Sequence, residues 1–454
     1  MNIDAFKQKK IALLGFGIEN QAVAKYFDQN AIPYTVFDSN PEISLKNFPL
    51  MFQSHLGLNY LNSLPEFQLI FRTPGFPPTH QIIQKAKNNG ASVTSQTQLF
   101  FDHCPSKVIG ITGTKGKGTT TKILECLLQH TTDKSVFVGG NIGIPPISFL
   151  SQIEKDDNVI LELSSFQLQD LNRSPHIAVL LAVGVDHLDY HANENEYVEA
   201  KTNIVRKQTD KDFLIVNEDC ITAKKIAEKS RAQIFRFSLE KEIEGFGVWL
   251  EKNEVYVRGH NNYVEKICTT EALRLKGRHN WQNACAAITS SLVLNCTPIT
   301  IGKAIGQFSG LPHRLEKIDI DSTFNYYNDS LATTPDAAIA AINAFEEPVV
   351  LIAGGASKGG DFLSLGRTCV NRSLRAAVLI GAESDKISRA LADSGYAGPI
   401  LRAGIDFAQA VKMARQHAQA GDTILLSPAC ASFDMFNSYA ERGEIFKDLC
   451  RQYS

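Results

Sequence analysis

Short apolar runs alternate with stretches of helical period along most of the chain. Ile11–Leu14, Tyr34–Phe37 and Phe67–Phe71 read as buried strands, with a helical pattern over Asn20–Phe27 between the first two. Lys107–Thr112, Val159–Leu163 and Ile177–Val183 read the same way further on, and so do Pro348–Ala353, Ala376–Ile380 and Asp422–Leu426. Helical stretches separate these runs, and that order predicts parallel sheets. Residues 233–270 differ: Phe235–Ser238, Gly247–Leu250 and Val255–Arg258 alternate polar with apolar positions and predict a small antiparallel sheet. A helix is expected again over Gly277–Leu294.

A chain of 454 residues exceeds what one hydrophobic core holds. The pattern divides into three α/β domains. Residues 1–100 are expected to form an N-terminal Rossmann-like domain. Residues 101–309, whose first strand runs into the glycine-rich turn Gly113-Thr-Lys-Gly-Lys-Gly-Thr-Thr120, are expected to form a central P-loop ATPase-like α/β domain with the small antiparallel sheet. Residues 310–454 are expected to form a C-terminal Rossmann-like domain. A 44% hydrophobic and 21% charged composition is that of a globular protein, and a net charge of −2 draws neither nucleic acid nor an anionic membrane. No run approaches the roughly 20 apolar residues of a membrane span. The opening residues lack the pattern of a secretory leader, so a cytoplasmic protein is expected. Nine scattered cysteines without CxxC or metal-type spacing are expected to be reduced thiols.

The strongest chemical signal is Gly113-Thr-Lys-Gly-Lys-Gly-Thr-Thr120, which follows a strand and opens a helix. Backbone amides of such a turn, together with the helix N-terminus, surround an anion. Lys117 is placed to neutralise β- and γ-phosphates, and Thr114, Lys115, Gly116 and Gly118 complete the loop. The spacing is shorter than GxxxxGK, and Gly118 stands where a Ser or Thr ordinarily follows the lysine. Thr119, or else Thr120, must then supply a hydroxyl for Mg²⁺, or water takes that place. Glu162 ends an apolar strand beside this loop, a suitable place for a metal-holding carboxylate. Taken alone, His187 reads as a structural histidine and Lys201 as a solvated helix charge. Gly15-Phe-Gly17 is similar to a dinucleotide fingerprint, with Asp38 at the distance of a ribose-binding acid, but the third glycine is missing. A dehydrogenase is the alternative from that turn, and it leaves the later domains unexplained.

Nine segments occur in one order: 113–120, GGNIG (139–143), ELSSFQL (162–168), DHLDYH (186–191), GRHNWQN (277–283), GLPHR (310–314), NDSLATTPDA (328–337), GGASKGGDF (354–362) and SPACASFDMF (427–436). Together they resemble the Mur ligase family. The resemblance implies ATP-dependent joining of D-glutamate to UDP-N-acetylmuramoyl-L-alanine in peptidoglycan precursor synthesis. It implies ATP and two Mg²⁺ ions as cofactors, and a monomer is expected.

The resemblance also distributes roles. The loop from Gly113 to Thr120, with Asn280, Asn283, Arg314 and Asp329, would bind ATP. Thr119, Glu162, His187 and Lys201 would serve the metal, Lys201 as a carbamate. Gly15, Gly17, Asp38, Thr73, Gly75, Asn141, Ser164 and Gln167 would face the UDP-linked substrate. Thr333, Lys358, Ser432 and Tyr439 would bind glutamate, with Cys430 packing in the same loop or reacting with thiol reagents. Leu331 departs from the family, which usually has lysine there. L-glutamate as substrate, a non-catalytic nucleotide-binding relative and a folate polyglutamylating ligase stand as alternatives.

Overall fold

The computed structural model describes residues 3–141, 143–184, 190–191, 193–259, 262–273, 277–308, 310–320, 323–357 and 359–453. These residues carry three sheets, gathered into two compact units. One unit spans residues 1–273 and 281–307, and the other spans 274–280 and 308–454.

The first sheet has five strands: β1 (Ile11–Leu14), β2 (Tyr34–Asp38), β3 (Met51–Leu56), β4 (Leu69–Arg72) and β5 (Ser92–Thr94). Their order is β3-β2-β1-β4-β5, all parallel. All of β1 and β4 is buried, as parallel strands covered on both faces must be. The order reverses between β1 and β4, and loops leaving the carboxyl ends at such a point form a crevice.

The second sheet belongs to the same compact unit. Its strands are β6 (Val108–Thr112), β7 (Val136–Gly140), β8 (Asn158–Glu162), β9 (Ile177–Leu180), β10 (Phe213–Asn217), β11 (Gln233–Ser238), β12 (Gly247–Glu251), β13 (Glu254–Arg258) and β14 (Val264–Thr269). They run β14-β13-β12-β11-β10-β9-β6-β8-β7. The expected small antiparallel sheet is present as an antiparallel edge of this larger sheet. β11 pairs in parallel with β10 and with β12, and only β12–β14 are antiparallel. They extend the central sheet at one edge. Period-2 alternation shows which face of a strand is buried, and it does not say which neighbour the strand joins.

The second unit holds β15 (Glu316–Ile318), β16 (Asn325–Asn328), β17 (Val349–Gly354), β18 (Ala376–Ile380), β19 (Ile400–Gly404) and β20 (Thr423–Leu426). The order is β15-β16-β20-β17-β18-β19, parallel except for β15 at the edge. Among the described residues, no helix is long and apolar enough to cross a membrane.

Candidate functional site

β6 is central in its sheet and fully buried, so the turn after it starts from a rigid base. A side chain at Gly113 would press on Leu181 Cβ at 2.7 Å. Gly116 has a φ of +87°, and a Cβ there would collide with the Asn283 amide. That close approach explains both the glycine and the buried asparagine against it. The helix Lys117–Thr131 begins at Gly116 with no side chain capping its end, which leaves its first amides facing outward. Thr114 is held at both ends of the residue: its N–H donates to Ala182 O at 2.8 Å, and its hydroxyl lies 3.0 Å from the Tyr197 hydroxyl.

Two lysines converge on this loop. Lys117 Nζ donates to the carbonyls of Gly113 and Thr114, each at 3.2 Å. Lys201 lies in the helix Glu194–Arg206, is 1% exposed, and donates to Gly113 O at 3.0 Å and Thr112 Oγ1 at 3.3 Å. Its amine stands 4.7 Å from the centre of the Tyr197 ring. Lys201 is therefore no solvated helix charge, as the bare pattern suggested. It is buried beneath the Gly113–Thr120 loop. Lys115 is exposed.

Glu162 ends β8 and is 2% exposed. Asn141 wraps it, with N–H donating to Glu162 O at 2.8 Å and Nδ2 to Oε1 at 2.9 Å. Gly140, with a φ of +112°, must lack a side chain because a Cβ would strike the Glu162 carbonyl. Ser164 and Gln167 form a reciprocal capping box at the start of the helix Ser165–Gln169. Gln167 Nε2 then donates to Glu19 Oε1 at 2.7 Å, reaching across to the first sheet.

Mg²⁺ fits this neighbourhood on one physical ground. The Thr119 hydroxyl is buried and, among the described residues, meets no hydrogen-bond partner, as does that of Thr120. A buried hydroxyl without a partner is costly unless something is meant to use it. Among the described residues, no three His, Cys, Asp or Glu side chains cluster as a metal site. His187, which the sequence reading added to the set, lies outside the described residues.

In the first sheet, Gly15 has a φ of +77°, and a Cβ would collide with Thr73. Asp38 joins the turns: Oδ2 accepts from Phe16 N–H at 2.6 Å and Oδ1 from Asn40 N–H at 2.8 Å. Thr73 N–H donates to Leu14 O at 2.9 Å, so Gly15, Asp38 and Thr73 gather at one end of the sheet, with Gly17 and Gly75 exposed in its turns. Asn20 fills the place of the missing third glycine. Fully buried, it shares its Nδ2 among the carbonyls of Leu14, Gly15 and Phe71 at 2.7–3.1 Å.

In the second unit, Asp329 follows β16 and is 5% exposed. It accepts from Leu315 N–H at 3.1 Å and Ser427 Oγ at 2.8 Å. Burial pushes its carboxyl up to about 7, outweighing these two bonds and the nearby Arg314 charge. Ser432 is buried, Tyr439 is 40% exposed, and Thr333 N–H donates to Leu331 O at 2.8 Å. Leu331 is half-buried, its N–H on His313 O. Lys358 lies outside the described residues. Cys430 is 1% exposed and burial raises its thiol to about 12, so it is packing and not a reactive surface thiol. Asn280 and Asn283 lie one turn apart on the helix Arg278–Val293, each 5% exposed.

The sequence reading missed Arg442. It is fully buried and holds two loops together. Nε donates to Ser330 Oγ at 2.9 Å and Nη2 to Ser330 O at 2.8 Å, while Nη1 reaches Cys430 O and Ala431 O at 3.3 and 3.2 Å. The signal was available: Arg442 shares its helical face with Phe446 and Cys450, an apolar stripe that a solvated arginine would not join.

Comparison with known proteins covers nearly the whole chain. Residues 9–95 match the Mur ligase MurD-like N-terminal domain, 111–291 the Mur ligase middle domain, and 313–430 the Mur ligase glutamate ligase domain. A UDP-N-acetylmuramoylalanine–D-glutamate ligase of Symbiobacterium thermophilum is 37% identical, over 98% of this chain and 99% of its own length. One of Clostridium tetani is 36% identical, over 98% and 96%. Among solved structures, MurF from Acinetobacter baumannii superposes with a TM-score of 0.62 at 18% identity, over 97% of this chain and 90% of its own, a likeness of fold.

Proposed function

Since this chain belongs to the Mur ligase family, we propose that it joins D-glutamate to UDP-N-acetylmuramoyl-L-alanine at the expense of ATP, in peptidoglycan precursor synthesis. The observation that carries the reading to the level of residues is the pair of lysine amines on the Gly113 carbonyl, in a loop that opens a helix N-terminus. Such a concentration of positive charge suits a triphosphate. We assign the domains as 1–100 for the UDP-linked substrate, 101–309 for ATP and 310–454 for the amino acid.

A free carboxylate does not form an amide at neutral pH, because oxide is a poor leaving group. The alanyl carboxylate attacks the γ-phosphorus, the bond to the bridging oxygen breaks, and ADP leaves an acyl phosphate. The glutamate amine attacks that carbonyl and loses a proton, and phosphate departs. Lys117 neutralises charge on the phosphates, and the Gly116–Thr120 amides orient them. Thr119, Glu162, His187 and a carbamylated Lys201 would hold Mg²⁺, as two ions, which supplies further neutralisation on the transferred group. Asn280, Asn283, Arg314 and Asp329 bind the nucleotide. Asp38, Thr73, Asn141, Ser164 and Gln167 position the UDP-linked substrate, with Gly15, Gly17 and Gly75 leaving it room. Thr333, Lys358, Ser432 and Tyr439 receive the glutamate, whose two carboxylates suit a lysine and hydroxyls. We assign the protein to the cytoplasm, as a monomer.

The test is phosphate release with UDP-N-acetylmuramoyl-L-alanine, ATP and Mg²⁺, supplying D-glutamate, L-glutamate and other amino acids separately. Release with D-glutamate alone is the expected result. Release only with another amino acid would overturn the specificity, and release with none would overturn the ligase reading.

A further inference from the structure

Two sheets share the first compact unit, and a buried polar network joins them at the end where their loops emerge. Arg72, the last residue of β4, is 1% exposed. Its Nε donates to Asp170 Oδ2 at 2.8 Å, and Nη2 reaches the same oxygen. Nη1 donates to Thr73 O at 3.2 Å, to Pro74 O at 3.1 Å and to Phe76 O, and lies 3.3 Å from the Tyr190 hydroxyl. That hydroxyl also donates to Pro74 O at 3.0 Å. One guanidinium therefore grips the Thr73–Phe76 turn and the residue that ends the helix Ser165–Gln169.

A second strap runs beside it. Glu19, in the first turn of the helix Ile18–Gln29, accepts from Gln167 of that same short helix at 2.7 Å. Both turns at this end of the first sheet are thus tied to one five-residue helix, which begins three residues after Glu162. Burial raises the carboxyl of Glu19, and also that of Asp170 in spite of Arg72 beside it. An apolar contact of the same size would hold two domains together at less desolvation cost. What the ion pair adds is direction: the fan of bonds from one planar group fixes the turn at a single angle to the helix.

We infer that Arg72 and Asp170 are positioning residues. They set the angle at which the turns carrying the UDP-linked substrate meet the strand end carrying Glu162, and so aim the substrate carboxyl at the phosphate loop. This rests on the ligase reading. Replacing Asp170 alone leaves Arg72 on the Thr73–Phe76 turn, part of the site proposed for the UDP group, so delivery should suffer more than capture.

The experiment compares the full chain with Asp170→Asn, Arg72→Lys, Arg72→Met and Tyr190→Phe. Phosphate release gives kcat and the KM for ATP, calorimetry gives the Kd for UDP-N-acetylmuramoyl-L-alanine, and thermal melting gives Tm. The expected result for Asp170→Asn is a kcat lowered about tenfold to a hundredfold, the scale of an ångström of misplacement. The Kd and the KM for ATP should stay near the unmodified values, with Tm little changed. Arg72→Lys should recover part of what Arg72→Met loses, and Tyr190→Phe should lose less than either. Unchanged kcat across the set overturns the inference. So does a loss in which kcat, Kd and KM worsen together with Tm, because that is the mark of a merely structural contact. If Asp170→Asn does not fold, Arg72→Lys and Tyr190→Phe decide by the same split. An unmodified chain that binds the UDP compound but releases no phosphate with any amino acid overturns the ligase reading itself, a result separable from all of these.

Discussion

Lys117 and Lys201 donate to the same oxygen: the carbonyl of Gly113 accepts from one amine at 3.2 Å and from the other at 3.0 Å. Two ammonium groups this close repel each other, and burial of Lys201 reduces the screening that water would give. A bound triphosphate relieves the repulsion. So does converting one amine to a carbamate, which turns a cation into an anion beside Lys117. The arrangement thus gives a physical reason for the proposed carbamylation to fall on Lys201 and not on Lys117, whose proposed role toward phosphate needs a cation.

Carbamylation is checked by ¹³C NMR of protein equilibrated with labelled bicarbonate. One carbamate resonance is expected, absent in Lys201→Arg. That variant keeps the charge and cannot be carbamylated, and its turnover should fall on the order of a hundredfold. Full turnover in Lys201→Arg would remove the residue from the mechanism.

Lys117→Ala should reduce ADP formation by at least about a hundredfold, because charge neutralisation on the transferred phosphoryl group is lost. Binding of the UDP-linked substrate, measured by calorimetry, should change little.

Gly116→Ala tests the loop itself. The left-handed backbone alone costs roughly 1–2 kcal/mol with a side chain present. The added methyl group must also displace the Asn283 amide. ATP affinity should fall more than Tm does, since the strain sits in the loop proposed to hold the nucleotide. A companion Asn283→Ala change should relieve the collision and leave the backbone cost.

Asp329 predicts a pH dependence of stability. Its carboxyl titrates near 7 in the folded chain, against about 4 when unfolded. The folded value is the higher one, so this group's contribution is fully present below about pH 4 and is lost as pH rises to 7. Against Asp329→Asn, the unmodified chain should lose stability across that window, by a few kcal/mol at most. Thermal melts of both from pH 4.5 to 8 measure it, and parallel curves would refute the assignment.

Arg442→Ala should be among the most damaging substitutions in the second unit. It strips the carbonyls of Ser330, Cys430 and Ala431 of a buried donor, a loss of roughly 1–3 kcal/mol for each carbonyl left without another. Arg442→Lys should fold better and still raise the KM for the amino acid, because one ammonium cannot reach both loops.

Much of the fold was legible in the sequence. Ala376–Ile380 and the helix Arg278–Val293 fall where the pattern puts them, because long apolar or helical-period runs leave little choice. Strands such as Met51–Leu56 and Asn325–Asn328 were not foreseen. The first is an exposed edge without an apolar run, and the second is mostly polar by composition and buried only through its neighbours. In the site, the glycine loop announces itself through spacing. Lys201 does not, since burial of a lysine depends on which helix lands beside the loop. Arg72 and Asp170 are 98 positions apart, and nothing local links them.

Asn20 carries a last consequence. Its amide suspends the start of a helix from the ends of β1 and β4 together. The amides of the Gly15–Gly17 turn are thereby set before any ligand arrives, so little chain freedom remains to be surrendered on association. Calorimetry of the UDP compound should accordingly show a small entropic penalty, which grows when Asn20 is replaced by the glycine that such turns ordinarily contain.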